Sequence, residues 1–240
     1  IKLQYINSLL YQGFFELDEI RRKCIKDIVE NDSRFEGASL SVNKISELLF
    51  DEENIDKNSL TQDQVEILGL NYAYNKLMKE NELPNQYKLR SYYSFLYKFA
   101  NYEVKEYRKS NAVVTGSNVT TVSYEKIETE MYHLFKRHES LFDIWNDKRD
   151  IEKFKALSES HQEITSIHPF PDGNGRMSRF LLNWILKINT LPFMIISLDK
   201  KKEYLESLSQ ADDWNFEPLS FLFIESIYNS INTFIIKYNV

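Results

Sequence analysis

Residues 168–179 read His-Pro-Phe-Pro-Asp-Gly-Asn-Gly-Arg-Met-Ser-Arg, and this stretch concentrates more chemistry than any other part of the 240-residue chain. Pro169 and Pro171 exclude helix from its first half, because proline and the residue before it avoid the helical conformation. From Arg176 onward, apolar side chains recur at helical spacing. The stretch therefore predicts a rigid loop that leads into a helix, with Gly173 and Gly175 where the backbone approaches another group closely.

The side chains of this stretch match the needs of a phosphate site. A helix N-terminus binds anions because its first N–H groups are unpaired and its dipole end is positive. Arg176 and Arg179 share one helical turn and add two forked donors for phosphate oxygens. Asp172 is the candidate Mg²⁺ ligand, since Mg²⁺ in phosphate sites takes one or two carboxylates plus phosphate oxygens. His168 can exchange a proton near neutral pH, so the pattern predicts a polyphosphate site with a metal ion and a base.

Residues 168–179 resemble the signature of Fic domains, His-x-Phe-x-Asp/Glu-Gly-Asn-Gly-Arg-x-x-Arg, at every defined position. The resemblance implies an all-α Fic fold, a helical bundle with a small β-hairpin flap beside the active site. It also implies a protein adenylyltransferase, an enzyme that transfers AMP from ATP to a Ser, Thr or Tyr hydroxyl of a target protein. The resemblance implies that His168 is the general base, that Asp172 is the Mg²⁺ ligand and that Phe170 is a buried anchor of the loop. It further implies that Gly173, Asn174 and Gly175 form an anion hole around the α- and β-phosphates. Arg176 and Arg179 would bind the β- and γ-phosphates.

The resemblance also bears on which group is transferred. A kinase-like branch of the family carries Lys in place of the second glycine of the signature, which crowds that phosphate subsite and reverses the nucleotide. This chain has Gly175 there. Nucleotidyl transfer is therefore favoured over phosphoryl transfer.

A second resemblance lies at residues 32–37, Asp-Ser-Arg-Phe-Glu-Gly. One class of Fic proteins carries an inhibitory helix N-terminal to the catalytic core, with the pattern Ser/Thr-x-x-x-Glu-Gly/Asn. The resemblance implies an inhibitory role for Glu36, which would pair with Arg179 and block productive binding of the γ-phosphate. Asp32 stands in the Ser/Thr position, and Asp caps helices much as Ser does.

Two other functions are compatible with these motifs. The first is AMP removal, in which Glu36 directs a water molecule at an AMP-modified side chain. The second is a nucleotide-sensing interaction module that binds ATP without transfer, although such a module has no need of His168. Release of AMP that depends on Glu36 would distinguish removal from transfer.

Residues 110–123 predict a hairpin, because β-branched residues flank Gly116-Ser117-Asn118. The segment resembles the Fic flap, whose exposed edge holds a target segment by strand pairing. The resemblance implies that a target protein docks along this hairpin. The residues assigned to that edge are Val113, Val114, Thr115 and Gly116.

The rest of the chain predicts helices and two regions. Residues 1–60 are interpreted as an N-terminal helical region, with the inhibitory helix at about 30–40, and residues 61–240 as the Fic catalytic core. In the helix after the motif, Tyr204 and Asp212 resemble adenine-contacting positions of the family. Apolar spacing places the helices at about 14–29, 42–50, 61–82, 85–107, 124–137, 149–165, from 176 onward, around 204–211 and at 216–238.

The composition narrows the partners. The net charge is −6 without a long basic run, so nucleic acid is an unlikely partner of this region. Cys24 is the single cysteine, which excludes an internal disulfide and a cysteine-based metal site and favours a cytoplasmic location. No apolar run is long enough to span a membrane. The expected partners are ATP, a target protein and a second copy of the chain in a homodimer.

Overall fold

The computed structural model describes residues 17–50, 56–100, 106–113 and 120–238, together with Lys2, Gln4, Tyr5, Tyr102 and Val104. The described residues fold mainly into α-helices, as the sequence predicts, and form no β-sheet. The helices are α1 (Leu17–Phe35), α2 (Val42–Phe50), α3 (Gln62–Leu77), α4 (Gln86–Leu96), α5 (Ile127–Asp143), α6 (Asp150–Ile167), α7 (Asn174–Ile188), α8 (Lys201–Asp212) and α9 (Glu217–Tyr238).

Helix α7 lies at the centre of the molecule. Residues 176–187 of this helix are all buried. Trp184 is fully buried and its indole N–H donates to the carbonyl of Glu82 at 3.0 Å. Phe180 packs edge-on against Tyr74 of α3, with ring centroids 5.1 Å apart. Because the helix is enclosed by packing, its N-terminal turn is held in a fixed position, which is the requirement for a phosphate site.

Most buried apolar residues of the helices form one large cluster that includes those of α7. Helix α1 packs against α3, α6 packs against α5, α7 and α9, and α3 packs against α4. Gly69 permits the last contact, since a β-carbon there would lie 1.9 Å from the carbonyl oxygen of Leu96. The apolar residues of α1 belong to the same core cluster as those of α7. Within the described residues, every helix is too short or too polar to cross a lipid bilayer.

Helix α1 differs from its predicted extent. The sequence predicts a helix that ends near Val29 and a turn or cap at Asn31 and Asp32, whereas α1 continues to Phe35. Asp32 and Ser33 are buried inside its last turns. The tertiary contacts of Asp32 therefore override the preference of Asp for a cap, so Asp32 does not cap the segment around Glu36.

Other helix boundaries also differ: α3 ends at Leu77 and not near residue 82, and α5 continues to Asp143 and not only to about residue 137. The helix predicted to reach Tyr107 ends at Leu96, because Tyr97 leaves the helical conformation and turns its hydroxyl towards the motif loop. Helix α7 begins at Asn174 and not at Arg176, which places Asn174 and Gly175 in its first turn.

The described parts of segment 110–123 meet at their ends. Val113 and Thr120 form a single antiparallel bridge, and the Thr121 hydroxyl donates to the carbonyl of Ala112 at 2.5 Å. The rest of the predicted flap, including Val114, Thr115 and Gly116, lies outside the described residues. A β-hairpin flap is therefore not observed, although its two ends lie side by side.

Candidate active site

The motif loop is shaped by its own side chains. Asn174 accepts a hydrogen bond from the backbone N–H of Phe170 and donates one to its carbonyl, both at 2.8 Å. The Phe170 ring is fully buried and stacks on Tyr93 at 3.9 Å between centroids, so Phe170 is the anchor that the sequence predicts. Gly173 precedes α7 with φ 73°, a left-handed conformation that favours glycine. The side chain of Asn174 closes the loop, so only its backbone N–H remains for an anion.

His168 ends helix α6 in a strained conformation. Its φ is 51°, which non-glycine residues rarely adopt, and its backbone N–H donates to the carbonyl of Ile164 at 3.1 Å. Burial lowers the pKa of His168, and the positive charge of Arg108 lowers it further. A hydrogen bond to the backbone of Thr165 and the charge of Asp172 act in the opposite direction but do not compensate. The imidazole is therefore neutral at pH 7 and can accept a proton.

Asp172 is the exposed acid of the loop. Its side chain is 70% exposed, and one carboxylate oxygen accepts a hydrogen bond from the Tyr97 hydroxyl at 3.3 Å. Within the described part of the chain, no group of three or more His, Cys, Asp and Glu side chains could hold a metal ion. Mg²⁺ would need a single accessible carboxylate together with phosphate oxygens and water, and Asp172 fits that donor set.

Arg176 is buried beside Asp172. One guanidinium nitrogen pairs with Glu66 of α3, and another lies 3.6 Å from the carboxylate of Asp172. The Nε–H of Arg176 is buried without a hydrogen-bond partner. A buried donor without a partner is costly, so this guanidinium has capacity for a further acceptor such as a phosphate oxygen.

Arg179 is held by two carboxylates of α1 and the turn that follows it. Its Nε–H donates to Asp32 at 2.7 Å and its Nη2–H donates to Glu36 at 2.6 Å. The guanidinium also lies over the Phe35 ring, 4.7 Å from its centroid. The pairing of Glu36 with Arg179 is the contact that the sequence predicts, whereas the bond to Asp32 is not.

The two carboxylates on Arg179 differ in pKa. Burial raises the pKa of Asp32 despite the attraction of Arg179. Burial also acts to raise the pKa of Glu36, but the positive charges of Arg179, Arg176 and Lys201 outweigh it and hold the pKa below its usual value. The site therefore favours the ionised form of Glu36. A β-carbon built on Gly175 would lie 2.6 Å from a carboxylate oxygen of Glu36, so Glu36 occupies the space beside the predicted anion hole.

Residues 85–186 match the sequence model of the Fic/DOC family. This part of the chain is a Fic domain. Two relatives are named protein adenylyltransferase: one from Nematostella vectensis, 42% identical over 66 residues (28% of this chain, 15% of the relative), and one from Caenorhabditis elegans, 30% identical over 88 residues (36% and 17%). A probable protein adenylyltransferase from Aquifex aeolicus is 29% identical over 109 residues, which are 45% of this chain and 31% of the relative. The chain spans less than a third of the length of each of these relatives.

Solved structures share the fold of the Fic domain. A Fic domain containing signaling protein from Bacteroides thetaiotaomicron has a TM-score of 0.83 and 20% identity, over 97% of this chain and 94% of that one. Fic-1 from Caenorhabditis elegans has a TM-score of 0.77 and 18% identity, over 99% of this chain and 72% of that one. These likenesses establish the all-α Fic fold that the motif predicts.

The two residues predicted to contact adenine lie on α8. Tyr204 is buried and its hydroxyl lies 2.8 Å from Nε2 of His161, with the Phe35 ring edge-on at 5.5 Å. Asp212 accepts a hydrogen bond from Gln162 at 3.1 Å. His161 is a packed histidine whose pKa is lowered to about 3 by burial, as expected of a residue that is not a second base. The adenine role of Tyr204 and Asp212 stays a prediction.

Three contacts at the candidate site are not predicted by the sequence. Each joins distant parts of the chain: Glu66 binds Arg176, Arg108 binds the carbonyl of His168, and Asp32 binds Arg179. Asp32 alone carried a signal, because it departs from the Ser/Thr of the inhibitory pattern. Glu66 and Arg108 lie among ordinary charged residues and carry no local pattern that marks them.

Proposed function

We propose that this Fic domain is a protein adenylyltransferase that transfers AMP from ATP–Mg²⁺ to a hydroxyl group of a target protein. One observation carries the proposal: a single loop brings a neutral histidine, an exposed carboxylate and two buried arginines to the N-terminus of α7. Relatives named protein adenylyltransferase support this choice over other phosphate chemistry.

The proposed reaction follows from the placement of these groups. The phosphates of ATP bind at the backbone of Gly173, Asn174 and Gly175, with Arg176 and Arg179 beside them. His168 accepts the proton of the target hydroxyl. The oxygen then forms a bond to the α-phosphorus as the bond to the β-phosphate breaks, and pyrophosphate leaves. Mg²⁺ at Asp172 would neutralise phosphate charge, while the base contributes on the order of 10²–10⁴-fold and the rest comes from positioning.

We place the target protein and the adenine ring of ATP at different parts of the site. The target segment would pair with the edge at Val113 and the residues after it, beside His168. The adenine would lie towards α8, near Tyr204 and Asp212. The side chain of Val113 is 89% exposed, which leaves it accessible to a target strand.

We further infer that the domain is autoinhibited by Glu36. The carboxylate of Glu36 pairs with Arg179 and lies against Gly175, so it competes with the γ-phosphate for the same guanidinium. Glu36→Gly should raise the rate of AMP transfer about 5–150-fold, the range of typical coupling energies. Glu30→Ala, in α1 and paired with Arg34, is the matched control. Equal rates in the Glu36→Gly protein and the control would remove Glu36 from regulation.

The role of His168 is tested by separating binding from transfer. In the Glu36→Gly protein, His168→Ala should abolish transfer and leave the affinity for ATP, measured by calorimetry with Mg²⁺, unchanged. His133→Ala, an exposed histidine of α5, should change neither quantity. Full transfer by His168→Ala would exclude His168 as the base.

One observation favours AMP removal as a second candidate function. Glu36 is ionised and its carboxylate reaches the edge of the predicted anion hole, where it could orient a water molecule towards an AMP-modified side chain. The test is incubation with a protein that carries AMP on a hydroxyl. AMP release by the unaltered chain, lost in Glu36→Gly, would support removal, and label transfer by Glu36→Gly alone would support the transferase.

A further inference from the structure

Arg108 lies buried behind the motif loop and donates to four backbone carbonyls. Its Nε–H donates to the carbonyl of His168 at 2.7 Å, and Nη1–H donates to the carbonyl of Ser110 at 2.7 Å. Nη2–H donates to the carbonyls of Val122 and Ile167, the latter at 3.3 Å. One guanidinium thus joins three segments: the chain that enters segment 110–123, the chain that leaves it and the end of α6.

These bonds suit arginine and no other side chain. The last carbonyls of a helix lack partners within the helix, and a positive charge at that end is favourable, so the carbonyls of Ile167 and His168 accept well from a cation. The planar fork of arginine offers five donors in a fixed arrangement, whereas lysine offers a compact ammonium without that geometry. The backbone N–H of Arg108 also donates to the carbonyl of Pro169 at 2.9 Å. Arg108 therefore contacts consecutive residues around His168.

His168 needs such support because of its backbone. A non-glycine residue in the left-handed region costs on the order of 1–3 kcal/mol and persists only when its surroundings hold it. At His168, φ is 51° and the carbonyl is fixed by Arg108. This conformation sets the direction of the Cα–Cβ bond from which the imidazole extends.

The charge of Arg108 acts on the same imidazole. The charged groups that face His168 are Arg108 and Asp172, and the backbone of Thr165 provides a hydrogen bond. Arg108 disfavours the protonated imidazole and Asp172 favours it. Arg108 and burial prevail, which keeps His168 in the form that accepts a proton.

We propose that Arg108 is the positioning residue of the site: it holds the backbone of His168 and both ends of segment 110–123 as one unit. The imidazole and the two ends of segment 110–123 are then set relative to each other before any target arrives. The proposal rests on the proposed role of His168 as the base.

The test compares Arg108→Lys and Arg108→Met in the Glu36→Gly protein, with Arg149→Lys, an exposed arginine at the start of α6, as the control. Transfer from α-labelled ATP should fall on the order of 10²-fold in Arg108→Lys at saturating ATP, with KM for ATP unchanged, because misplacement by about 1 Å costs that much. Wild-type transfer by Arg108→Lys would overturn the proposal.

The second measurement does not depend on transfer. Titration of the His168 Cε1 signal by NMR should give a higher pKa in Arg108→Met, which removes the charge, and an unchanged pKa in Arg108→Lys, which keeps it. The signals of Ser110 and Val122 should shift in both variants and not in Arg149→Lys. If transfer is absent from every protein while these shifts occur, the proposed function fails and the positioning role stands. If Arg108→Met does not fold, the test uses Arg108→Lys alone, through the NMR signals of Ser110 and Val122 and the rate of transfer. Unchanged signals of Ser110 and Val122 in a folded variant would contradict the positioning role.

Discussion

At the scale of single residues, Arg179 has two carboxylate partners with different consequences. Glu36 binds Nη2, one of the terminal nitrogens that a phosphate would use, whereas Asp32 binds Nε. We therefore expect Asp32 to keep the Arg179 guanidinium in place when Glu36 moves away. The second carboxylate oxygen of Asp32 is buried without a partner, so this contact is not optimised for stability alone.

Asp32→Asn in the Glu36→Gly protein should raise KM for ATP roughly tenfold. The amide oxygen can still accept from Arg179, but the negative charge that strengthens this bond is lost, and a tenfold change corresponds to about 1.4 kcal/mol. The physical reason is loss of the orientation of Arg179 and not loss of the base, so the maximal rate at saturating ATP should change less than KM. Asp27→Asn, on the same helix, serves as the control in ATP titrations of the transfer rate. A lower KM in Asp32→Asn would mean that Asp32 competes with ATP instead of supporting it.

His168 sets the pH dependence of transfer. Its pKa is lowered in the folded protein, and it must be neutral to act as a base. Activity should therefore rise with pH through a pKa below about 6.5, the ordinary value for histidine, and be level at neutral pH. The measurement is kcat/KM of the Glu36→Gly protein across acidic and neutral buffers. A rising limb centred above the ordinary value would contradict the environment described for His168.

At the scale of elements, the sequence predicts the helices better than their ends. The loop from His168 and the helix after it were predictable because Pro, Gly and the apolar spacing act locally. The extension of α1 to Phe35 was not, since it depends on Asp32 reaching Arg179 from 147 residues away in the chain. The Arg176–Glu66 pair likewise joins distant segments through an ion pair without a local pattern.

The contact between α3 and α4 offers a test of packing. Gly69→Ala would place a β-carbon 1.9 Å from the backbone carbonyl oxygen of Leu96, so the helices must separate. We expect the free energy of unfolding to fall by about 1–3 kcal/mol, the usual cost of overpacking, in urea titrations. Asn75→Ala, an exposed position of the same helix, should change it by less than about 0.5 kcal/mol. Equal stability of the two variants would show that the helices separate without cost.

At the scale of the whole molecule, the stability of the helical bundle should depend on acid through buried histidines. Burial lowers the pKa of His138 to about 4, and the charge of Arg137 acts in the same direction. The folded pKa lies below the unfolded one, so the contribution is fully present above about pH 6.5 and is lost as pH falls towards 4. The loss amounts to roughly 3 kcal/mol. Urea titrations of His138→Gln should show a shallower decline in acid than those of His133→Gln, and equal slopes would contradict this assignment.

The all-α fold was predictable from one motif and the helical spacing, and the solved Fic structures confirm it. The division into residues 1–60 and 61–240 stays a prediction, although the shared core of α1 and α7 shows that the two parts pack together. The chemistry of the loop could be predicted from the sequence, because a phosphate site needs few residue types in a fixed order. The side chains that hold the loop were not predictable, because a backbone carbonyl can accept a hydrogen bond from any suitably placed arginine.

The most direct test of AMP transfer uses ATP labelled at either the α- or the γ-phosphate, with Mg²⁺. The unaltered chain, Glu36→Gly and Glu36→Gly/His168→Ala are incubated with each form, and label on protein is measured. We expect label from the α-form alone, increased in Glu36→Gly and lost without His168. Label from the γ-form would mean a kinase, and no label from either form with ATP still bound would contradict AMP transfer.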